Sequence, residues 1–169
     1  MKALIFIADG VEDLEFFYPY YRFQEEGFSV DVAGPKVGNV QGKHGYSFPI
    51  KLTFSDVSAS HYDILVIAGG KAPETVRLNP DAIKITQEMF KSGKIVAAVC
   101  HGFQVIISAG LAKGKTATCW QGIKDDLKAA GAHYEDKEVV VDGNLITSRK
   151  PDDLPAFCRE ILSSIKALV

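Results

Sequence analysis

Short apolar runs recur at residues 3–8 (ALIFIA), 28–33 (FSVDVA), 63–68 (DILVIA) and 95–99 (IVAAV), and each is closed by Gly, Asp or Cys. Runs of that length between turn residues read as buried strands. Between them the spacing changes. Leu14, Phe17, Tyr18 and Tyr21 stand at i, i+3, i+4 and i+7, and Ile83, Thr86, Gln87 and Phe90 repeat the pattern more weakly, which predicts a helix in each place. Alternating strand and helix predicts a parallel sheet covered on both faces. Pro19 falls inside the first helix, where an interior proline costs roughly 3 kcal/mol, so a kink is expected there, shaping either a pocket or the packing.

The turn-rich stretch 36–55, with Gly38-Asn39, Gly42 and Gly45, reads as a small hairpin excursion from the main sheet. A second hairpin is predicted at 138–148, where EVVVDGNLITS sets Asp142-Gly143 between two β-rich runs. The segment 151–168 opens on Pro151 and two acidic residues and becomes amphipathic through Phe157, Ile161 and Ile165, which predicts a helix that covers the sheet. No repeat, linker or low-complexity segment divides the chain. Its 169 residues, 47% hydrophobic, are therefore expected to form one domain, 1–169.

Charge narrows the function classes. Lys+Arg of 19 against Asp+Glu of 21 leaves a formal charge of −2, without the basic excess that a nucleic-acid binder needs. Cys100, Cys119 and Cys158 are an odd count without CxxC spacing, so neither a disulfide framework nor a zinc site is indicated and a reducing, cytoplasmic setting is expected. The start MKALIFIADGVED turns acidic too soon for a signal peptide. The uncharged stretch between Lys94 and Lys113 approaches the length of a membrane span, but it contains His101, Gly102, Gln104 and Ser108, and a buried strand followed by a buried helix explains it.

That same stretch carries the main chemical signal. Ala98-Val99-Cys100-His101-Gly102 sets a thiol at a strand-to-helix turn, as a nucleophile elbow does, although the first glycine of the elbow pattern is missing. A helix start offers unpaired N–H groups and a positive dipole end, and such positions lower a cysteine pKa from about 8.5 to roughly 3.5–7.5. The competing reading is a small buried hydrophobe.

In an open parallel sheet, ligands bind beyond the carboxyl ends of the strands. Here that rule gathers Asp9 to Glu12, Gly69 to Glu74, Cys100 to Gly102, and Trp120 after the run TATC. The backbone N–H groups of Gly69-Gly70 are candidate oxyanion or substrate-binding donors together with the amide of His101, with Trp120 a further substrate contact, or the glycine pair is a plain tight turn. Glu12 is either an exposed first-turn acid or a neutral carboxylic acid that donates a hydrogen bond to the sulfur. His101 is a candidate base or imidazolium partner, with Glu74 to orient it; the alternatives are a capping histidine and a surface glutamate. His44, His61 and His133 lack ligand spacing and are expected on loops or the surface, so no metal is expected. Gly110, Gly114, Lys115 and Thr116 miss P-loop spacing by one residue and follow a helix, which argues against nucleotide binding.

Several longer stretches extend these signals: VEDLE at 11–15, GKHGYS at 42–47, AGGKAPETVRLNP at 68–80, AVCHGFQVIISAG at 98–110, GIKDDLKAAGA at 122–132 and DGNLITSRKPDDLPAF at 142–157. Together they resemble the PfpI family of intracellular cysteine proteases, within the class I glutamine-amidotransferase-like superfamily, over nearly the whole chain. The resemblance implies a flavodoxin-like three-layer α/β sandwich with a mostly parallel central sheet and helices on both faces. It implies Cys100 as nucleophile, His101 as its partner and Glu12 in contact with the cysteine. It further implies that Glu74 reaches the histidine of a neighbouring subunit, so that the site forms only in a homo-oligomer, a dimer or a hexamer. Phe103 departs from the proline that commonly follows CHG in the family, which bears on the pocket.

Three functions use the same cysteine. The first is hydrolysis of short peptides or small amides, with no cofactor: Cys100 attacks the carbonyl and the Gly70 and His101 amides hold the oxyanion. The second is glyoxalase or deglycase chemistry on methylglyoxal or its adducts, with Glu12 or His101 moving the proton. The third is a non-enzymatic redox sensor or chaperone.

Overall fold

The computed structural model describes residues 1–168. The chain runs β1 (Lys2–Phe6), α1 (Asp13–Glu25), β2 (Ser29–Gly34), β3 (Gly38–Gln41), β4 (Ser47–Ile50), β5 (Leu52–Thr53), β6 (Ile64–Ile67), α2 (Ala72–Val76), α3 (Pro80–Lys91), β7 (Ile95–Val99), α4 (Phe103–Ser108), β8 (Thr116–Ala117), α5 (Lys124–Ala129), β9 (His133–Tyr134), β10 (Val140–Asp142), β11 (Leu145–Ser148) and α6 (Leu154–Ala167). Seven strands form one sheet in the order β10-β11-β7-β6-β1-β2-β5, parallel except at the β10 edge. Helices pack against it to give a flavodoxin-like sandwich. The four apolar runs supply its centre, and every residue of β6 and β7 is buried, as a parallel strand covered on both faces must be.

Both predicted hairpins form. Residues 38–50 make the antiparallel β3–β4 pair, apart from the main sheet, and Asp142-Gly143 turns β10 into β11. The second hairpin does more than its turn signal indicates, because β11 pairs parallel to β7 and so joins the sheet. The run TATC does not. It gives the two-residue β8, whose backbone pairs with β9, while the side chains of Asp142 in β10 and Thr147 in β11 accept the N–H groups of Thr116 and Thr118.

α1 inverts the expectation read from its spacing. Leu14, Tyr18 and Tyr21 are exposed, whereas Glu15, Phe16, Pro19 and Phe23 are buried. The helix is aromatic on both sides, so periodicity alone does not select the inner face. α1 continues through Pro19. α6 behaves as its stripe predicts, with Phe157, Ile161 and Ile165 buried.

Strand order reverses at β1, which lies between β6 and β2 although β6 comes much later in the chain. A crevice opens beyond the carboxyl ends of the strands at such a switch point. The register Ile67↔Ala98 across β6 and β7, with Phe6↔Ile67 across β1 and β6, brings the segments after all three strands to that end. Among the described residues, no helix is long and apolar enough to cross a membrane.

Candidate active site

Cys100 follows β7 directly and begins a single 3-10 turn, Cys100–Gly102, ahead of α4. Its φ is +61°, and it is the one non-glycine residue with positive φ among the described residues. A side chain in that left-handed region is strained, and the surrounding structure must enforce it. This is the geometry of a nucleophile elbow, reached without the first glycine of the usual pattern. The thiol is 7% exposed and sits in the floor of a cavity of about 710 Å³.

The thiol is not acidified by its position. Burial pushes its pKa above the ordinary cysteine range, and the neighbouring Glu15 carboxylate adds to the rise, while the backbone N–H groups of His101 and Gly70 oppose it. The expected helix-end lowering loses for two reasons. α4 is only six residues long, and the sulfur has little contact with water.

The acid beside the sulfur is Glu15 rather than Glu12. Glu15 has no exposed surface and its pKa is raised to about 8, first by burial and second by the Glu12 charge. Its Oε1 accepts the Gly69 N–H at 3.0 Å, while Oε2 is buried without a hydrogen-bond partner among the described residues. A Cβ on Gly69 would run into Glu15 Oε1 and lie 2.9 Å from Cys100 Cβ, so only the absence of a side chain there lets carboxyl and thiol meet. Glu15 is the site residue that sequence reasoning missed. The signal was its place at i−4 from Pro19 and i−8 from Phe23, a carboxyl in line with the buried face of α1.

Glu12 is occupied elsewhere. It caps α1 by accepting the Leu14 N–H at 2.8 Å, and its Oε1 lies 2.8 Å from Nε2 of His44, which comes from the tip of the β3–β4 hairpin. Asp13 holds the same tip, accepting the backbone N–H of His44 at 2.7 Å and of Tyr46 at 3.2 Å. His44, expected on a loop or the surface, is exposed at the hairpin tip and also lines the cavity wall. Glu12, Asp13 and His44 bring three ligand-type atoms within 4.8 Å of one another, but contacts among themselves and with the hairpin backbone already use them.

Of the remaining predicted residues, His101 meets Cys100 most directly, with Nδ1 3.3 Å from Sγ. Burial and the Lys43 charge lower its pKa, so the imidazole is neutral at neutral pH and able to accept a proton. Gly70 lines the cavity at φ +73°, where a Cβ would collide with the Gly10 carbonyl and the Glu12 amide. Gly69 departs from its expected substrate-binding role: it is buried, and its amide is already bonded to Glu15. Glu74 stands exposed on the rim and makes no hydrogen bond to His101 within the described residues, although its charge is felt there. Trp120 lies over His101 with ring centroids 6.4 Å apart, and its backbone N–H donates to the Cys100 carbonyl at 3.2 Å. Phe103 is fully buried beneath the elbow and does not line the cavity.

The DJ-1/PfpI family profile matches residues 1–164. "Deglycase TK1284" of Thermococcus kodakarensis is 51% identical over 98% of this chain and 100% of its own length. "Putative cysteine protease YraA" of Bacillus subtilis is 42% identical over 98% of both chains. A crystal structure from Anabaena variabilis, of a two-domain protein with DJ-1/ThiJ/PfpI-like and ferritin-like domains, superposes with a TM-score of 0.96 at 44% identity, over 98% of this chain and 48% of that one.

Proposed function

The chain belongs to the DJ-1/PfpI family, and we propose that it is a cytoplasmic deglycase that removes 2-oxoaldehyde adducts from amines and thiols with Cys100 as nucleophile. The observation that carries this reading is a strained thiol, at φ +61°, with a neutral imidazole 3.3 Å from its sulfur at the base of a cavity. The deglycase name of a relative identical at half its positions supports it.

In this scheme His101 takes the thiol proton as substrate binds, which avoids the cost of a resting buried thiolate. Sγ bonds to the carbinol carbon of the adduct. The carbon–nitrogen or carbon–sulfur bond breaks, and the leaving amine or thiol departs with the proton held by His101. A proton shift on the enzyme-bound hemithioacetal, served by His101 or the Glu15 carboxyl beside it, gives a thioester with no external oxidant. Water then releases the 2-hydroxy acid and restores the thiol. The Gly70 and His101 amides face the sulfur and are placed to hold the oxyanion of that hydrolysis.

The experiment follows release of free thiol and lactate from methylglyoxal hemithioacetals. Turnover by the wild type that Cys100→Ser abolishes supports the reading; equal rates for both overturn it. Peptide hydrolysis is the second reading, favoured by the protease name of the Bacillus relative. Turnover of fluorogenic peptides without turnover of the adducts would select it.

Assembly belongs to the same proposal. Glu74 is exposed at the rim and unpaired among the described residues, which leaves it available to the His101 of a second copy in a dimer or hexamer.

A further inference from the structure

Two lysines flank the thiol cavity, and the backbone fixes where each begins. The Lys43 N–H donates to the Val11 carbonyl at 2.8 Å, and the Lys71 N–H donates to the Gly10 carbonyl at 2.9 Å, so consecutive residues of the β1–α1 loop anchor both. Lys71 is held further by packing. Gly10, at φ +81°, would place a Cβ 2.8 Å from Lys71 Cβ, so the lysine stem lies flat against a glycine that nothing larger can replace. Both side chains line the cavity that Cys100 floors.

Neither ammonium has a carboxylate within ion-pair distance among the described residues. The acids of the adjoining loop are committed elsewhere: Asp9 to the Gln41 amide, Glu12 to His44, Asp13 to the hairpin amides. Glu15 is turned inward on the Gly69 amide. Glu74, three residues after Lys71, pairs with neither lysine. The Lys43 charge acts on both His101 and Glu15, the groups beside the sulfur, from the wall of the same cavity.

We infer that Lys43 and Lys71 form an anion subsite that selects substrates carrying a carboxylate beside the reacting carbon, such as adducts on amino acids and on peptide termini. Two cations at the cavity wall, with no carboxylate partner among the described residues, hold a carboxylate through charge-assisted hydrogen bonds, and a neutral isostere of the same shape loses them. The inference deepens the deglycase reading and takes its substrate preference from it, but the subsite is testable without that activity.

Iodoacetate and iodoacetamide deliver nearly the same electrophile to a thiol and differ in charge. The rate of Cys100 carboxymethylation relative to carbamidomethylation, located by mass spectrometry and divided by the same ratio for N-acetylcysteinamide, isolates the protein's contribution. It is expected to stand about tenfold above unity in the wild type, to fall toward unity in Lys43→Met/Lys71→Met, to survive in Lys43→Arg, and to shrink in high salt. A ratio at unity in the wild type, or one indifferent to the double variant, overturns the subsite. A thiol inert to both reagents overturns it together with the nucleophile. A second arm compares methylglyoxal hemithioacetals of N-acetylcysteine and N-acetylcysteinamide, with the carboxylate form expected to have the higher kcat/KM. Equal kcat/KM for the two overturns the selection. If neither turns over while the lysine-dependent alkylation ratio stands, the anion subsite holds and the deglycase reading fails.

Discussion

The Glu15 carboxyl meets the Cys100 thiol across the bare Cα of Gly69, and the burial that brings them together raises the pKa of both. Two acids so placed do not ionise together, because each negative charge disfavours the other in a site with little water. At neutral pH the pair is protonated on both partners. In the proposed mechanism a proton must therefore leave the sulfur as substrate arrives, with His101 as the neutral base within reach.

Glu15 makes the fold sensitive to alkali. It keeps its proton up to about pH 8 in the native state, against 4.5 ordinarily, so between those values the native chain binds more protons than the unfolded one. Stability is thus full at low pH and lost as pH rises through that window, by on the order of 3–5 kcal/mol. Glu15→Gln keeps an acceptor for the Gly69 amide and cannot ionise. Denaturant titrations at pH 5 and about pH 9 are expected to show the wild type weakening on going to the higher pH and the variant holding level; parallel losses in both would contradict the assignment.

The same variant reports on the nucleophile. Removing the Glu15 charge removes the second cause of the raised thiol pKa and leaves burial as the first. The pH midpoint for iodoacetamide reaction at Cys100 is expected to move down in Glu15→Gln. An upward shift would mean that Glu15 stabilises the thiolate rather than opposing it.

In the proposed mechanism His101 sets the acid limb of the pH profile. Its pKa lies below the ordinary 6.5, chiefly through burial, so turnover is expected to hold to a lower pH than an unperturbed histidine allows and then fall as the ring protonates. His101→Ala removes the base at 3.3 Å and is expected to cost 10²- to 10⁴-fold in kcat. An unchanged pH–rate profile in that variant would assign the limb to another group.

Backbone strain at the elbow has its own signature. At φ +61°, Cys100→Gly relieves the left-handed conformation and Cys100→Ala does not. Both lose turnover, but the glycine variant is expected to be the more stable by about 1 kcal/mol, read from denaturant midpoints. Equal midpoints would show that the elbow carries no strain.

Glu74 tests the assembly. If its carboxylate completes the site of a second copy, Glu74→Gln lowers kcat while light scattering still finds an oligomer, and dilution to monomer inactivates the wild type. A fully active monomer removes Glu74 from the site.

Local signals were enough to define β1, β2, β6 and β7, both hairpins and the elbow. Apolar runs of five or six residues, Asp142-Gly143 and Ala98-Val99-Cys100-His101-Gly102 act over a few residues, and the forces that shape them are equally short in range. Cys100, His101, Gly70 and Trp120 were legible because strand ends in a parallel sheet converge on one side. The inner face of α1 was not, since Leu14, Phe17 and Tyr18 compete on equal apolar terms with Phe16, Pro19 and Phe23. That choice turned Glu15 rather than Glu12 onto the sulfur. Only the tertiary structure could also bring Lys43 and His44 from a hairpin roughly 30 residues beyond Glu12 to the cavity wall, because their placement rests on Asp13, Val11 and Glu12 contacts that no periodicity encodes. The sign of the Cys100 shift was decided there too: a six-residue helix end competes with burial and a neighbouring carboxyl, and how much water remains at the sulfur is a property of the packed whole.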